Sequence, residues 1–218
     1  MNYKTLKQYL KKIYFKYTGK IKKKRLNKYD FTIISNNCFG GIFYRDNNLE
    51  YLSPTCGLAF MAKEYIKFIY NMKYYLSIDN IQEISIEESK YSNYLKLIQY
   101  EGVIGKIEDL EILFLHYETI DEARQKWNRR KKRINYNKIV YKFNDQNLCE
   151  YDDLVDFEKF EAANKICFTS KQYEDINSVQ LKKYKDNTFV LSDVNYRDYV
   201  KSFNVYNFIN NLKEEKND

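Results

Sequence analysis

The chain has 218 residues, 44% hydrophobic and 31% charged, which suits one well-buried core and leaves little room for two full domains. Apolar and aromatic residues recur along its whole length, which excludes a disordered chain, and no run approaches the ~20 apolar residues that a bilayer crossing needs. The net charge of +7 is unevenly placed: residues 1–28 hold eleven Lys and Arg and no carboxylate, so residues 29–218 carry 26 basic and 30 acidic groups, a net of −4. An acidic body argues against nucleic acid as a partner, because phosphate neutralisation needs a broad basic face.

Residues 3–17 read as an amphipathic helix with Tyr3, Leu6, Leu10, Ile13 and Tyr17 on one stripe and lysines outside it. Followed by Lys20 and the run from Lys22 to Arg25, residues 3–25 suit contact with an anionic membrane surface; docking on the protein's own domain or on a partner is the other reading. Lys4, Lys7, Lys11 and Lys12 leave no signal-peptide apolar region, so the expected location is cytoplasmic, peripheral at the inner face of the cytoplasmic membrane. Cysteines 38, 56, 149 and 167 are widely spaced without a CxxC pair, so neither a zinc site nor a disulfide framework is expected, and no metal. Residues 1–28 are thus read as a basic arm and 29–218 as a single α/β domain.

Within that domain the spacing predicts a strand at Phe31–Ile34, a helix over 61–76, a strand at Ile112–Leu115 and a helix entered through a capping box of Thr119 and Glu122. Strands follow at Lys138–Phe143, Ile166–Phe168 and Thr188–Leu191, a short acidic helix lies over 151–160, and a last helix spans about 196–212. Strands alternating with helices imply a mostly parallel sheet of about five or six strands flanked by helices.

Polar residues gather where the strands end. Phe31–Ile34 runs into Ser35, Asn36, Asn37, Cys38, Phe39, Gly40 and Gly41; Leu115 into His116 and Tyr117; Phe143 into Asn144 and Asp145; Phe168 into Thr169, Ser170 and Lys171; Leu191 into Ser192 and Asp193. In a parallel sheet those ends share one edge, where open α/β sheets place ligand crevices. Gly40 and Gly41 let backbone N–H groups approach a phosphate or carboxylate, and Asn36 and Asn37 suit sugar hydroxyls. A tight structural turn is the alternative. Cys38 is a candidate nucleophile, with His116, the one histidine, as its base and Asp145 to orient the imidazole. The alternatives are a packed thiol and a satisfied imidazole. Arg45 beside Asp46, and Ser53 with Thr55 around the one proline, are candidate substrate contacts. The six basic groups of Lys126–Arg133 read as a solvated helix face, with diphosphate or anionic lipid as the other reading.

The blocks FTIISNNCFGG (31–41), YRD (44–46), YLSPTCGLAF (51–60), EYIKFIYNMKYYL (64–76), EILFLHYET (111–119), EARQKWNRRKKRIN (122–135), KFND (142–145) and FTSK (168–171) together resemble the domain-of-unknown-function 1919 family, whose members are often labelled exopolysaccharide biosynthesis proteins. That pattern often has Trp after the cysteine, where this chain has Phe39. The resemblance implies an α/β sandwich and a place in capsule, lipopolysaccharide or exopolysaccharide loci of bacteria. It carries no catalytic role over. The expectation is a metal-independent transferase acting on a sugar or lipid-linked sugar precursor, with a nucleotide sugar or acyl-CoA as donor. The alternative is a non-catalytic sugar-binding or assembly protein of the same systems.

Overall fold

The run Thr32–Ser35 is wholly buried, and its alternation divides the molecule: Ile33 faces one apolar cluster and Ile34 another. A computed structural model describes residues 17–215 together with Leu6 and Tyr14. The amphipathic helix read over residues 3–17 falls outside these except for Leu6, Tyr14 and Tyr17; Leu6 and Tyr17 of its apolar stripe are exposed. Residues 17–23 are helical.

Four strands, β1 (Thr32–Ser35), β5 (Ile139–Asn144), β6 (Lys165–Thr169) and β7 (Val179–Gln180), form a parallel sheet in the order β1-β5-β6-β7. Thr32 is paired with Ile139, Tyr141 with Lys165 and Phe168 with Val179. Ile33, Val140, Ile166 and Phe168 pack under the aromatic rings of Phe39, Phe43, Tyr199 and Tyr206 on one face. Ile34, Tyr141, Phe143 and Cys167 meet Phe60, Tyr65, Phe68, Trp127 and Phe157 on the other. A period of two on strands covered on both faces demands apolar residues on both sides, which these strands supply.

Helix α1 (Phe39–Asp46) follows β1 directly. The helix read over 61–76 is present as α2 (Ala62–Tyr70) and α3 (Met72–Ser77), parted at Asn71, whose side-chain amide donates to the Lys67 carbonyl. Strand β4 (Leu110–Phe114) joins β2 (Gln82–Ile84) and β3 (Val103–Ile107) in a separate antiparallel sheet, with α4 (Ser92–Leu97) between β2 and β3. The strand expected at Ile112–Leu115 therefore does not extend the parallel sheet. A turn of two residues joins β3 to β4, and so short a link permits only antiparallel pairing. Helix α5 (Ile120–Lys131) starts at Thr119, whose side chain accepts from the Glu122 N–H, while Glu122 reaches back to the Glu118 N–H. Helix α6 (Tyr151–Lys159) joins β5 to β6.

Residues 188–191 form no strand. The Val190 N–H donates to the Asp145 carboxylate, 2.7 Å away, in place of a ladder partner, and β7 takes the position beside β6. The C-terminal helix is two short pieces, α7 (Tyr196–Tyr199) and α8 (Val205–Asn210); Asn204 caps the second by accepting from the Asn207 N–H.

Candidate functional site

Leaving β1, the chain spends its polar groups inward. The Ser35 hydroxyl donates to the Asn37 carbonyl at 2.7 Å and accepts from the Gly40 N–H, and the Asn37 side chain accepts from the Phe39 N–H at 3.0 Å. Two of the N–H groups that open α1 are therefore satisfied within the chain rather than presented to a ligand. Gly40 lies so close to Ile33 that an added Cβ would meet its side chain at 3.1 Å, which is why α1 can sit on β1. Ser53 and Thr55 are fully buried; their hydroxyls lie 2.9 Å apart and Thr55 accepts from the Ser35 N–H.

Asn36, Asn37 and Asn144 belong to a buried polar network below this turn. Asn36 donates to Asn144 at 2.7 Å, and Asn37 and Asn144 donate to the two carboxylate oxygens of Asp193 at 2.7 and 2.8 Å. Lys142, fully buried, places its ammonium 3.2 Å from both Asn36 and Asn37 side-chain oxygens and 2.5 Å from Asp193. These groups hold the ends of β1 and β5 together.

Above the network an open cleft of about 460 Å³ is lined by Cys38, Gly41, Ile42 and Arg45 of α1 and its cap, Tyr51, Cys56 and Gly57 of the following loop, His116 and Tyr117 beyond β4, and Lys126 and Arg130 of α5. Cys38 and His116, expected to meet, do share this cleft. His116 is exposed and its backbone N–H donates to the Gly57 carbonyl. Gly57 adopts φ +84°, a conformation that side-chain-bearing residues rarely take, and a Cβ there would press on the Tyr117 ring at 3.2 Å.

Asp145 does not join them. Its carboxylate accepts from the Ser170 and Val190 N–H groups and lines a different hollow, so no Cys-His-Asp triad assembles. Both backbone N–H groups tie it to the β6 side of the parallel sheet, whereas His116 follows β4, which lies in the other sheet. The Cys38 thiol is buried, which pushes its pKa up to about 11 against the lowering influence of Lys142 and Arg45. At neutral pH it is a thiol, and its Sγ lies 3.9 Å from the Leu58 carbonyl. Asp46 pairs with Arg45, and Ser170 is fully buried. Lys171 is exposed, outside the cleft.

Lys126 and Arg130, read in sequence as part of a solvated basic helix face with diphosphate or anionic lipid as the other reading, are the cleft's most informative residues, and the solvated reading fails for Arg130, which is nearly buried. Lys126 and Arg130 stand four residues apart and so share a face of α5; that spacing was the available signal, hidden by the basic run around it. Arg130 is 7% exposed and directs Nη1 to the Cys56 carbonyl (2.8 Å) and the Tyr117 hydroxyl (2.7 Å), while its Nε has no partner. The Tyr51 ring lies 5.0 Å from the guanidinium carbon. Among the described residues no carboxylate pairs with Arg130, and none lines the cleft. Tyr117, its own pKa pushed up to about 12 by burial, donates to the Cys56 carbonyl at 2.5 Å and remains a neutral phenol. Arg45 and Lys126 add positive charge, moderated by Asp46 and Glu122.

A protein of Haemophilus influenzae described as uncharacterized is 27% identical over 150 residues, which cover 69% of this chain and 66% of that relative. Residues 9–210 match the family described as a domain of unknown function (DUF1919), nearly the whole length of the chain and all the elements that build the cleft. The protein therefore belongs to the domain-of-unknown-function 1919 family.

Proposed function

We propose that the cleft binds the diphosphate of a sugar precursor or activated donor in bacterial surface polysaccharide biosynthesis, and that the protein transfers a group to or from it without a metal. One observation carries this reading: Arg130 is a nearly buried cation that has no counter-ion among the described residues, facing a cleft whose described lining holds no carboxylate. A buried charge is costly unless it is paired, and an incoming phosphate supplies the missing pair as charge-assisted hydrogen bonds to guanidinium donors. Lys126 and Arg45 steer the anion. His116, exposed at the cleft wall, is the group placed to give or take a proton during transfer.

The protonated Cys38 and the absence of Asp145 from the cleft favour a second reading, a non-catalytic binder of the same phosphorylated ligand. The test is calorimetric titration with inorganic diphosphate, a UDP-sugar panel and acyl-CoA. Binding that falls at least about tenfold in Arg130→Met and Lys126→Ala supports the anion cleft. Unchanged binding in both variants, or none in the wild type, overturns it. Product formation lost in His116→Ala with affinity retained separates the transferase from the binder.

A further inference from the structure

The hollow that holds Asp145 is built for a different ligand. Its volume is about 320 Å³, and Tyr94, Tyr151, Tyr173 and Phe189 contribute four aromatic rings to it, with no cation in its lining. Tyr151 and Tyr173 stand 5.9 Å apart, centroid to centroid, 37° from parallel. Tyr151 and Phe189 are 47% and 44% exposed, large aromatic surface left open to solvent at the rim of a cavity. Asn147 and Leu148, consecutive residues at φ 57° and 61°, contribute to its lining, and Leu148 is half exposed there. Such backbone strain is stored where a surface must hold a set shape.

The hollow's carboxylates are already engaged. Asp145 gives its two oxygens to the Ser170 and Val190 N–H groups, and Glu150 pairs with Lys63 at 2.8 Å and caps α6. Asp145 is buried at the floor with both oxygens hydrogen-bonded, and Lys63 meets the charge of Glu150, so the lining offers a cationic ligand no exposed, unpaired carboxylate, and nothing in it attracts an anion. What remains is aromatic faces with hydroxyl and amide groups: Thr188, the Asn147 side-chain oxygen and the phenol groups of Tyr94 and Tyr173. Apolar rings beside a few convergent polar groups suit a flat ligand that is apolar on its faces and hydroxylated at its edge.

We infer that this hollow is a binding subsite for a neutral pyranose unit, which stacks on Tyr151, Tyr173 and Phe189 and hydrogen-bonds to Asn147 and Thr188. It lies beyond β5, as the anion cleft lies beyond β1, and the two share no lining residue. The sugar site does not depend on the anion cleft being occupied.

Saturation-transfer NMR on the full chain, with the methyl glycosides of glucose, galactose and N-acetylglucosamine, their β-linked trisaccharides and choline as probes, tests this. Transfer to ring protons of at least one sugar is expected, with affinity falling about fivefold or more in Phe189→Ala and Tyr173→Ala and unchanged in Arg130→Met. Phe189 is exposed, so its removal leaves the fold intact, which circular dichroism verifies. No transfer to any sugar, sugar binding indifferent to both aromatic substitutions, or transfer to choline alone overturns the inference. Loss of sugar binding in Arg130→Met would place the sugar in the anion cleft instead and equally overturn it.

Discussion

The Lys142 ammonium lies 2.5 Å from the Asp193 carboxylate, and both side chains are wholly shielded from solvent. Lys142 sits between Tyr141 and Phe143 in a strand buried along its whole length, with the Phe39 and Phe168 rings 5.5 and 5.9 Å away. Desolvation pushes its pKa below the ordinary lysine value, and Asp193 opposes that push by favouring the charged form. The Lys142 ammonium donates to the Asn36 and Asn37 side-chain oxygens, and the Asn37 and Asn144 amides donate to the Asp193 carboxylate, so the ends of β1 and β5 are fixed by charge as well as by the ladder.

Removing one member should be severe. Lys142→Met leaves Asp193 buried with only amide donors, and a loss of about 3–5 kcal/mol is expected. Asp193→Leu alone should cost a similar amount. The double variant should recover part of the sum, because the uncompensated charge is gone. Urea unfolding of the three variants checks this; a single-variant loss under about 1 kcal/mol would show that the pair is not a closed buried ion pair.

Gly57 sets the position of both cleft residues that follow β4. Its carbonyl holds the His116 backbone and its α-carbon abuts the Tyr117 ring. Gly57→Ala introduces a Cβ at φ +84° and pushes the Tyr117 ring, whose hydroxyl accepts from Arg130. The expected stability loss is about 1–2 kcal/mol, with weaker diphosphate binding than that loss alone explains. Leu97→Ala, exposed on α4 and outside the cleft, is the control that should leave diphosphate affinity unchanged. Equal diphosphate affinity in the wild type and Gly57→Ala would remove Gly57 from the site.

The parallel sheet was legible because its strands are short apolar runs that end in polar clusters; Cys38 and His116 share a cleft although β4, which precedes His116, lies in the other sheet and not on the parallel edge that the strand ends implied. Asn36, Asn37 and Asn144 look identical in sequence whether they face a ligand or a lysine; the distinction lies with Lys142, a cation inside the apolar run Ile139–Phe143, which has to find a buried partner. Ser53 and Thr55 were chosen over Tyr51, Cys56 and Gly57 in the same loop, since sequence alone does not say which side of an irregular segment turns inward. The antiparallel sheet was missed because Glu108, at φ 54° in a two-residue turn, carries no Gly or Asn-Gly signature.

Cys38 offers a direct measurement of its own chemistry. With its pKa pushed up to about 11, the thiolate fraction at pH 7 is roughly a hundredfold below that of an ordinary thiol. Iodoacetamide labelling of Cys38, followed by peptide mass spectrometry to separate it from Cys149, should be slow at pH 7 and accelerate about tenfold per pH unit up to pH 10. Labelling that is fast and flat below pH 8 would mean an activated thiolate and restore Cys38 as a nucleophile. Saturating diphosphate should slow the labelling, because both occupy the same cleft.

The buried thiols also set an alkaline limit on stability. Cys38 rises to about 11 and Cys56 to about 12, from an ordinary value of 9.0, chiefly because burial penalises the thiolate. Below pH 9 each thiol is protonated whether the chain is folded or unfolded, and its ionisation has no effect on stability. Between pH 9 and 11 the unfolded chain loses these protons while the folded chain keeps them, so stability falls as pH rises. At pH 10 the expected contribution is on the order of 1 kcal/mol per thiol. Guanidinium unfolding at pH 8 and pH 10 should show a smaller fall for Cys38→Ala than for the wild type. An identical fall in both would mean that the Cys38 thiol ionises as freely in the folded protein as in the unfolded chain, and the cleft wall around it would then be far wetter than its burial implies.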